Sequence, residues 1–334
     1  QLMILIYCPE KTNRVEYVFN LIFQEMLGSD FQITSDLDQF VDSGFPKISY
    51  ARKKTMQCLH FKAAGLLFET GVLNQDLKVF KHNGVFSFFE VENDSALPFD
   101  PFSAVFYLVS RYEEYLPHKQ DFMGRYTPEQ SLAFKHNFLS IPIVNIWVKQ
   151  LAALIKNSFP ALQFKQKEFE VIDTLDIDNA FAYLEKGFWR NLGGYFKSAL
   201  HFDIKSILNR SRVLCGLNPD PYNTYTYLLE QISGRAKRPL CFVLLGDYGR
   251  FDKNVSWKSE KLQEVIKGLS AHADIGIHPS VGSNGRPKQV NIEMERLGSI
   301  LKKKVCLSRQ HYLKFSLPET YRNLIKSGIT DEYS

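Results

Sequence analysis

Short apolar runs and amphipathic stretches alternate along the chain. Met3 to Tyr7 is an unbroken apolar run of strand length, and apolar residues then recur at Val15, Phe19, Ile22, Phe23 and Met26, the spacing of one helical face. Gly28 closes that helix, and Phe31 to Thr34 reads as the next strand. In the stretch Leu77 to Val91, Asn83-Gly84 lies between apolar runs and predicts a hairpin. Asp100 and Pro101 supply an N-cap and first helical position for a helix through Ala104-Val105-Phe106-Tyr107-Leu108 that stops at Pro117. A further helix runs from about Pro142 to Lys156 and is closed by Pro160.

From Phe169 the pattern becomes regular. Strand-like runs fall at Phe169 to Leu175, Leu240 to Leu245, Asp274 to Ile277, Val305 to Leu307 and around Ile329. Helical stretches separate them at Ala180 to Leu200 (with Gly193-Gly194 expected to break it), Tyr222 to Ser233, Ser256 to Ser270, Val290 to Lys302 and Leu317 to Lys326. Such alternation predicts an α/β fold with a parallel sheet and crossover helices, either barrel or doubly wound. At 334 residues two domains are expected: a mixed α/β domain over 1–165 and a β/α domain over 166–334. Arg111, Glu113, Glu114, Asp121 and Arg125 form a dense charged group in the first domain, read as a structural ion-pair cluster.

The polar side chains that interrupt the second pattern fall in a consistent place. Asp176 and Asp178 close the first strand-like run, Gly246-Asp247-Tyr248-Gly249 follows the second, His278-Pro279-Ser280 the third and Arg309-Gln310-His311 the fourth. All are C-terminal strand ends, where a parallel β/α barrel gathers its active site. Period-two geometry puts Asp176 and Asp178 on one side of an extended chain. Such a pair serves hydrolysis when one carboxylate ligates a metal that activates water and the other takes the proton. The same sequence also allows Asp178 or Asn179 to be an ordinary N-cap for a helix starting at Ala180.

Composition narrows the alternatives. Apolar residues make up 45% and charged residues 23%, the balance of a globular protein. A net charge of +5, with scattered basic residues and short runs such as Lys302-Lys303-Lys304, gives no nucleic-acid stripe. No apolar run has the length of a membrane span, and Gln1 to Cys8 lacks the basic region of a signal peptide. The five cysteines are scattered without a Cys-x-x-Cys, which fits reduced thiols and a cytoplasmic location.

The order Thr174-Leu175-Asp176-Ile177-Asp178, Leu240 to Gly246, Ile275-Gly276-Ile277-His278-Pro279 and Ser308-Arg309-Gln310-His311-Tyr312 resembles the polysaccharide deacetylase family. The resemblance implies a distorted (β/α) barrel, preceded by an extra α/β domain, and a metal-dependent carbohydrate esterase. Its substrate would be an acetylated sugar or polysaccharide and its cofactor a divalent metal, zinc foremost. It makes Asp176 the general base, Asp178 and His278 metal ligands, and Arg309 the residue that holds and tunes the base carboxylate. Asp247, Tyr248, Ser280 and Tyr312 become candidates for substrate binding. The sequence departs from the family at Gly282, where a second histidine is usual, and at His311, where a proline is usual. His311 is therefore a candidate third ligand, or else a hydrogen-bond donor to substrate or backbone. Five strand-like runs are too few to close a barrel, so two or three further β/α units of about 30 residues each, bearing the general acid, are expected beyond Ser334. The alternative function is a non-catalytic carbohydrate-binding relative with a degenerate metal site.

Overall fold

Pairing of short apolar strands builds each of two units in the computed structural model, which describes residues 3–92, 94–165, 167–235 and 237–334. One unit comprises Gln1–Asp121 with Tyr126–Phe169, the other Phe122–Arg125 with Glu170–Ser334.

The first unit opens with β1 (Ile4–Tyr7), whose four residues are all buried, and α1 (Asn13–Phe19), capped by Thr12 Oγ1 accepting from Val15 N. The expected single helix changes character after α1, widening into π turns over Asn20–Met26 while keeping Ile22 and Phe23 buried. Then follow β2 (Phe31–Thr34), α2 (Leu37–Asp42), β3 (Lys47–Ala51), β4 (Leu59–Lys62) and the hairpin β5 (Phe80–His82) and β6 (Val85–Ser87), turning at Asn83-Gly84. The first four strands form a parallel sheet in the order β2-β1-β3-β4. Helices α3 (Pro101–Val109), α4 (Leu132–Lys135) and α5 (Ile143–Ser158) follow the hairpin. Helix α3 stops well before Pro117 because Arg111 adopts a left-handed φ of 56°. Asp100 fixes its start. Completely buried, that carboxylate accepts from Phe102 N, Ser103 N, Ser103 Oγ, Ala64 N and Tyr50 Oη. Phe19, Phe61 and Tyr50 pack edge-on around Phe102. Within the expected charged group, Arg111 makes a two-pronged pair with Glu114 at 2.6 Å per bond, and Glu113 accepts from Leu132 N. Arg125 belongs to the second unit and donates to Tyr312 O.

In the second unit, β7 (Thr174–Ile177) is followed by α6 (Gly187–Leu200), α7 (Ile204–Leu214), α8 (Tyr225–Ile232), β8 (Leu240–Val243), α9 (Glu260–Ser270), β9 (Asp274–Ile277), α10 (Pro287–Leu301), β10 (Leu307–Ser308), α11 (Glu319–Ser327) and β11 (Asp331–Glu332). The five strands are parallel and lie in sequential order, β7 to β11. They make an open sheet, without a closed ring among the described residues. Cys241, Val243, Ile275 and Ile277 pack against Leu262, Ile266, Leu297 and Ile300 of α9 and α10.

Several element boundaries differ from the sequence expectation for identifiable reasons. The run from Phe169 is exposed, and pairing begins only at Thr174, opposite Leu240, the first residue of β8. No helix starts at Ala180, so neither Asp178 nor Asn179 is an N-cap. Glu185 and Gly187 have left-handed φ values of 58° and 73°, and α6 begins only at Gly187. Gly193-Gly194 does not break α6. A Cβ on Gly194 would collide with the Arg210 guanidinium, which packs over the Tyr183 and Tyr195 rings, so glycine here lets α7 approach. Helix α7 was not expected. Its apolar residues Ile204, Leu208 and Leu214 are exposed and Val213 alone is buried, so no apolar stripe marks a core face.

The turn after β7 is held by Asp220, 3% exposed, whose carboxylate accepts from Ala182 N, Tyr183 N, Leu184 N and Tyr222 N. Burial alone would raise its pKa, but these backbone N–H groups outweigh burial and hold it below the ordinary value. Asp220→Ala is expected to lower unfolding stability by about 2–3 kcal/mol, the order for uncovering several N–H groups bonded to a charge. Because the folded pKa is depressed, this contribution is complete above the unfolded value, roughly pH 4, and disappears as the pH falls through the folded one. Denaturant titrations of both proteins check this, the gap between them narrowing below about pH 4.

Candidate metal centre

The last row shared by the sheet runs Ile177, Val243, Ile277, Ser308 and Glu332. One residue further along, the side chains become polar: Asp178 after β7, His278 after β9 and Arg309 after β10. Asp176 and Asp178 are exposed, while Leu175 and Ile177, which alternate with them, pack on the core.

Asp178, His278 and His311 converge, with one ligand atom from each lying within 4.8 Å of the others. His278 Nε2 is 3.2 Å from Asp178 Oδ1, and His311 Nε2 is 3.8 Å from Asp178 Oδ2. The two rings are 5.0 Å apart between centroids and both histidines are buried. The far nitrogen of each ring has an acceptor. His278 Nδ1 lies 2.6 Å from Arg309 O, and His311 Nδ1 lies 2.8 Å from Asp252 Oδ1. Each acceptor assigns the Nδ1 proton, which leaves an Nε2 lone pair facing the Asp178 carboxylate. Lone pairs opposed at such distances call for a proton or a cation between them. Tetrahedral zinc sets its ligand atoms roughly 3.3 Å apart, so two imidazoles and a carboxylate in this arrangement suit a divalent cation that keeps an open position. With a proton in that place, the hydrogen bond to His278 and the charges of both imidazoles outweigh burial and lower the Asp178 pKa.

Arg309 organises the neighbouring carboxylate. Its Nη1 donates to Asp176 Oδ1 at 3.0 Å, Nη2 to Thr174 Oγ1 and Nε to Tyr333 O, and the guanidinium lies over the Phe242 ring at 4.7 Å. The remaining expected residues divide. Tyr312 is half-exposed, its ring 4.5 Å from that of His311 and 5.9 Å from Phe251. Tyr312 and Leu313 both have left-handed φ, at 59° and 49°, a strained turn of the kind found around binding sites. Asp247 pairs with Arg296 at 2.9 Å, and the Tyr248 ring packs against Arg190 and Lys253. Ser280, expected to meet substrate, faces inward instead: it is 4% exposed and its N–H and hydroxyl both donate to Glu293. His272 lies near Ser233, with Nδ1 3.4 Å from Oγ.

Two residues essential to this geometry escaped the sequence reading. Asp252 orients His311 and also accepts from Val281 N and Gly282 N; those bonds outweigh burial and lower its pKa. Its signal was a carboxylate in the loop after β8. Glu293 is fully buried on the face of α10 that also carries Val290, Leu297 and Ile300, so an acid interrupting that apolar stripe was visible.

Fold and site together define a two-unit α/β protein with an Asp-His-His cluster at the C-terminal edge of a parallel sheet. Residues 4–160, most of the first unit together with the 122–125 segment, match the model of a family of unknown function (DUF7033). No curated protein and no solved structure matches the chain. Among the described residues no helix is long and apolar enough to cross a membrane.

Asp252→Asn should weaken zinc affinity about 10- to 100-fold, the usual effect of losing a carboxylate behind a ligating imidazole. In a His311→Ala background the same change should add nothing, because the ring that Asp252 orients is gone. Competition with a chelating dye reads both. An equal loss in the two backgrounds would mean that Asp252 acts only by holding the 281–282 turn.

Proposed function

We propose that this chain is a metal-dependent hydrolase of the polysaccharide deacetylase type, acting on an acetylated, most simply acetamido, sugar of a polysaccharide or its precursor. The observation that carries the reading is the convergence of Asp178, His278 and His311 in the unit where Arg309 fixes Asp176. In this reading the open parallel sheet is part of a distorted (β/α) barrel. Asp178, His278 and His311 hold the cation. When bound, it supplies a Lewis acid that makes water a competent nucleophile near neutral pH.

The chain's own residues do the rest. Asp176 accepts the proton of the attacking water, its carboxylate aimed by the single bond from Arg309 Nη1. Because Arg309 spends its other donors on Thr174 and Tyr333, its fork cannot swing away, and Asp176 keeps one position. The exposed ring of Tyr312, beside His311, offers a platform for the apolar face of a sugar. A binding protein without turnover is the second reading. It is favoured by Gly282, which offers only its N–H, to Asp252, where the resembled family carries a second histidine.

The two carboxylates separate the readings. Asp178→Asn is expected to lose cation and deacetylase activity together. Asp176→Asn should retain the cation within about threefold while turnover falls by at least 10²-fold, the scale of a missing general base. Acetate release from acetylated chito-oligosaccharides, run beside elemental analysis, measures both. Stoichiometric zinc and sugar binding in the parent chain with no acetate released would establish the binding reading instead.

A further inference from the structure

Between β7 and β8 the chain makes an excursion in which Ala180, Phe181 and Ile232 join the core, while two helices between them present a row of apolar side chains to solvent. On α6, Phe188, Trp189, Leu192, Phe196 and Leu200 are 46–79% exposed. Placed at 100° per residue, they occupy an arc of about 120° on one helix face. Phe202 in the link to α7 is 89% exposed, and Ile204, Leu208 and Leu214 continue the apolar surface at 66%, 53% and 41%. The two helices are fixed to each other by the Tyr195–Ser211 hydroxyl contact at 2.9 Å and by Arg210 over the Tyr195 ring. The exposed residues therefore belong to an ordered hairpin and not to a frayed segment. Scattered exposed apolar residues are ordinary, but a contiguous stripe on paired helices marks an interaction surface.

Charge identifies what covers it. Residues 186–214 contain six Lys and Arg residues and one acid, Asp203, a net charge of +5 that equals that of the entire chain. Lys197, Lys205 and Arg212 are exposed. On the same angular scale Lys197 lies about 60° beyond the edge of the α6 apolar arc, while Lys205 and Arg212 fall about 40–60° from Leu208 on α7. A face of Phe, Trp and Leu bordered by cations is the arrangement of helices that lie in a bilayer interface, the rings at the acyl boundary and the cations at anionic headgroups. Nucleic acid would use the rings and cations but would gain nothing from the five exposed aliphatic residues, and a second copy of this chain would bring the same positive charge against itself.

We infer that the α6–α7 hairpin docks the protein peripherally on an anionic lipid bilayer. The inference does not depend on the hydrolase reading. The full chain should co-sediment with vesicles of phosphatidylglycerol and phosphatidylcholine and not with phosphatidylcholine alone. Trp189 emission should shift to the blue on binding, and binding should weaken as salt rises. Lys197→Glu with Lys205→Glu should lower the partition coefficient on the order of tenfold or more. Phe188→Ser with Phe196→Ser should lower it at least as far, and since both rings are exposed the melting temperature should be unchanged. Should the serine variant misfold, the charge reversals carry the test alone. Absence of vesicle binding would overturn the inference. So would concentration-dependent dimerisation, or binding to single-stranded nucleic acid, that these variants abolish while vesicle binding is missing or unaffected.

Discussion

The register of the five-stranded sheet is the constraint on which the candidate site depends. Parallel strands end together, so the residue after the last shared row is presented along a single edge. Asp178 and His278 nevertheless follow β7 and β9, which are separated by β8. Two strand spacings amount to roughly 9–10 Å. Side chains from β7 and β9 meet at 3.2 Å only by leaning across the end of β8, and the chain makes room there. Leu244 and Leu245 are buried, and Gly246 follows with no side chain; a Cβ at that position would strike Ser280. A one-residue slip of β7 would send Asp176 and Asp178 to the opposite face and remove both from the site.

Charge accounts for how the cluster is balanced. Asp176, Asp178 and Asp252 bring three carboxylates, and Arg309 one guanidinium. With neutral imidazoles the sum is −2, the charge a divalent cation cancels. Supporting contacts keep the ligands in place. The turn after His278 is tied from below by Glu293 through Ser280 and from the side by Asp252 through Val281 and Gly282. Burial raises the Glu293 carboxyl, yet it accepts from Ser280 on the loop it restrains and from Gln289 on its own helix.

Much of this was legible in the sequence where a local rule decides the outcome. Asn83-Gly84 turns a hairpin because its backbone tolerates positive φ, and Asp100-Pro101 starts α3 because cap and ring act within one turn. Asp176, Asp178, His278, Arg309 and His311 stood out because each follows an apolar run at the same end. What the sequence hid was set by distant partners. Pairing with Leu240 decides where β7 begins, and Asp220, some 40 residues away, decides that 180–186 is a turn and not a helix. Ser280 was misread for the same reason. Its position in a strand-end loop suggested substrate, but a buried acid on α10 claims both of its donors.

The docking face and the candidate site share one loop. Arg190 of α6 donates to Lys253 O at 2.8 Å and Asn254 O at 2.9 Å, and its guanidinium stacks on Tyr248 at 4.2 Å. The same loop carries Asp252, the carboxylate that orients His311, and is closed by Asn254 Nδ2 donating to Gly246 O. Arg190 thus ties α6 to the 247–254 loop, which carries the Asp252–His311 hydrogen bond. That route is short and polar, with two identified bonds and one stacked ring, and it gives the hairpin a physical path to the histidine that completes the cluster.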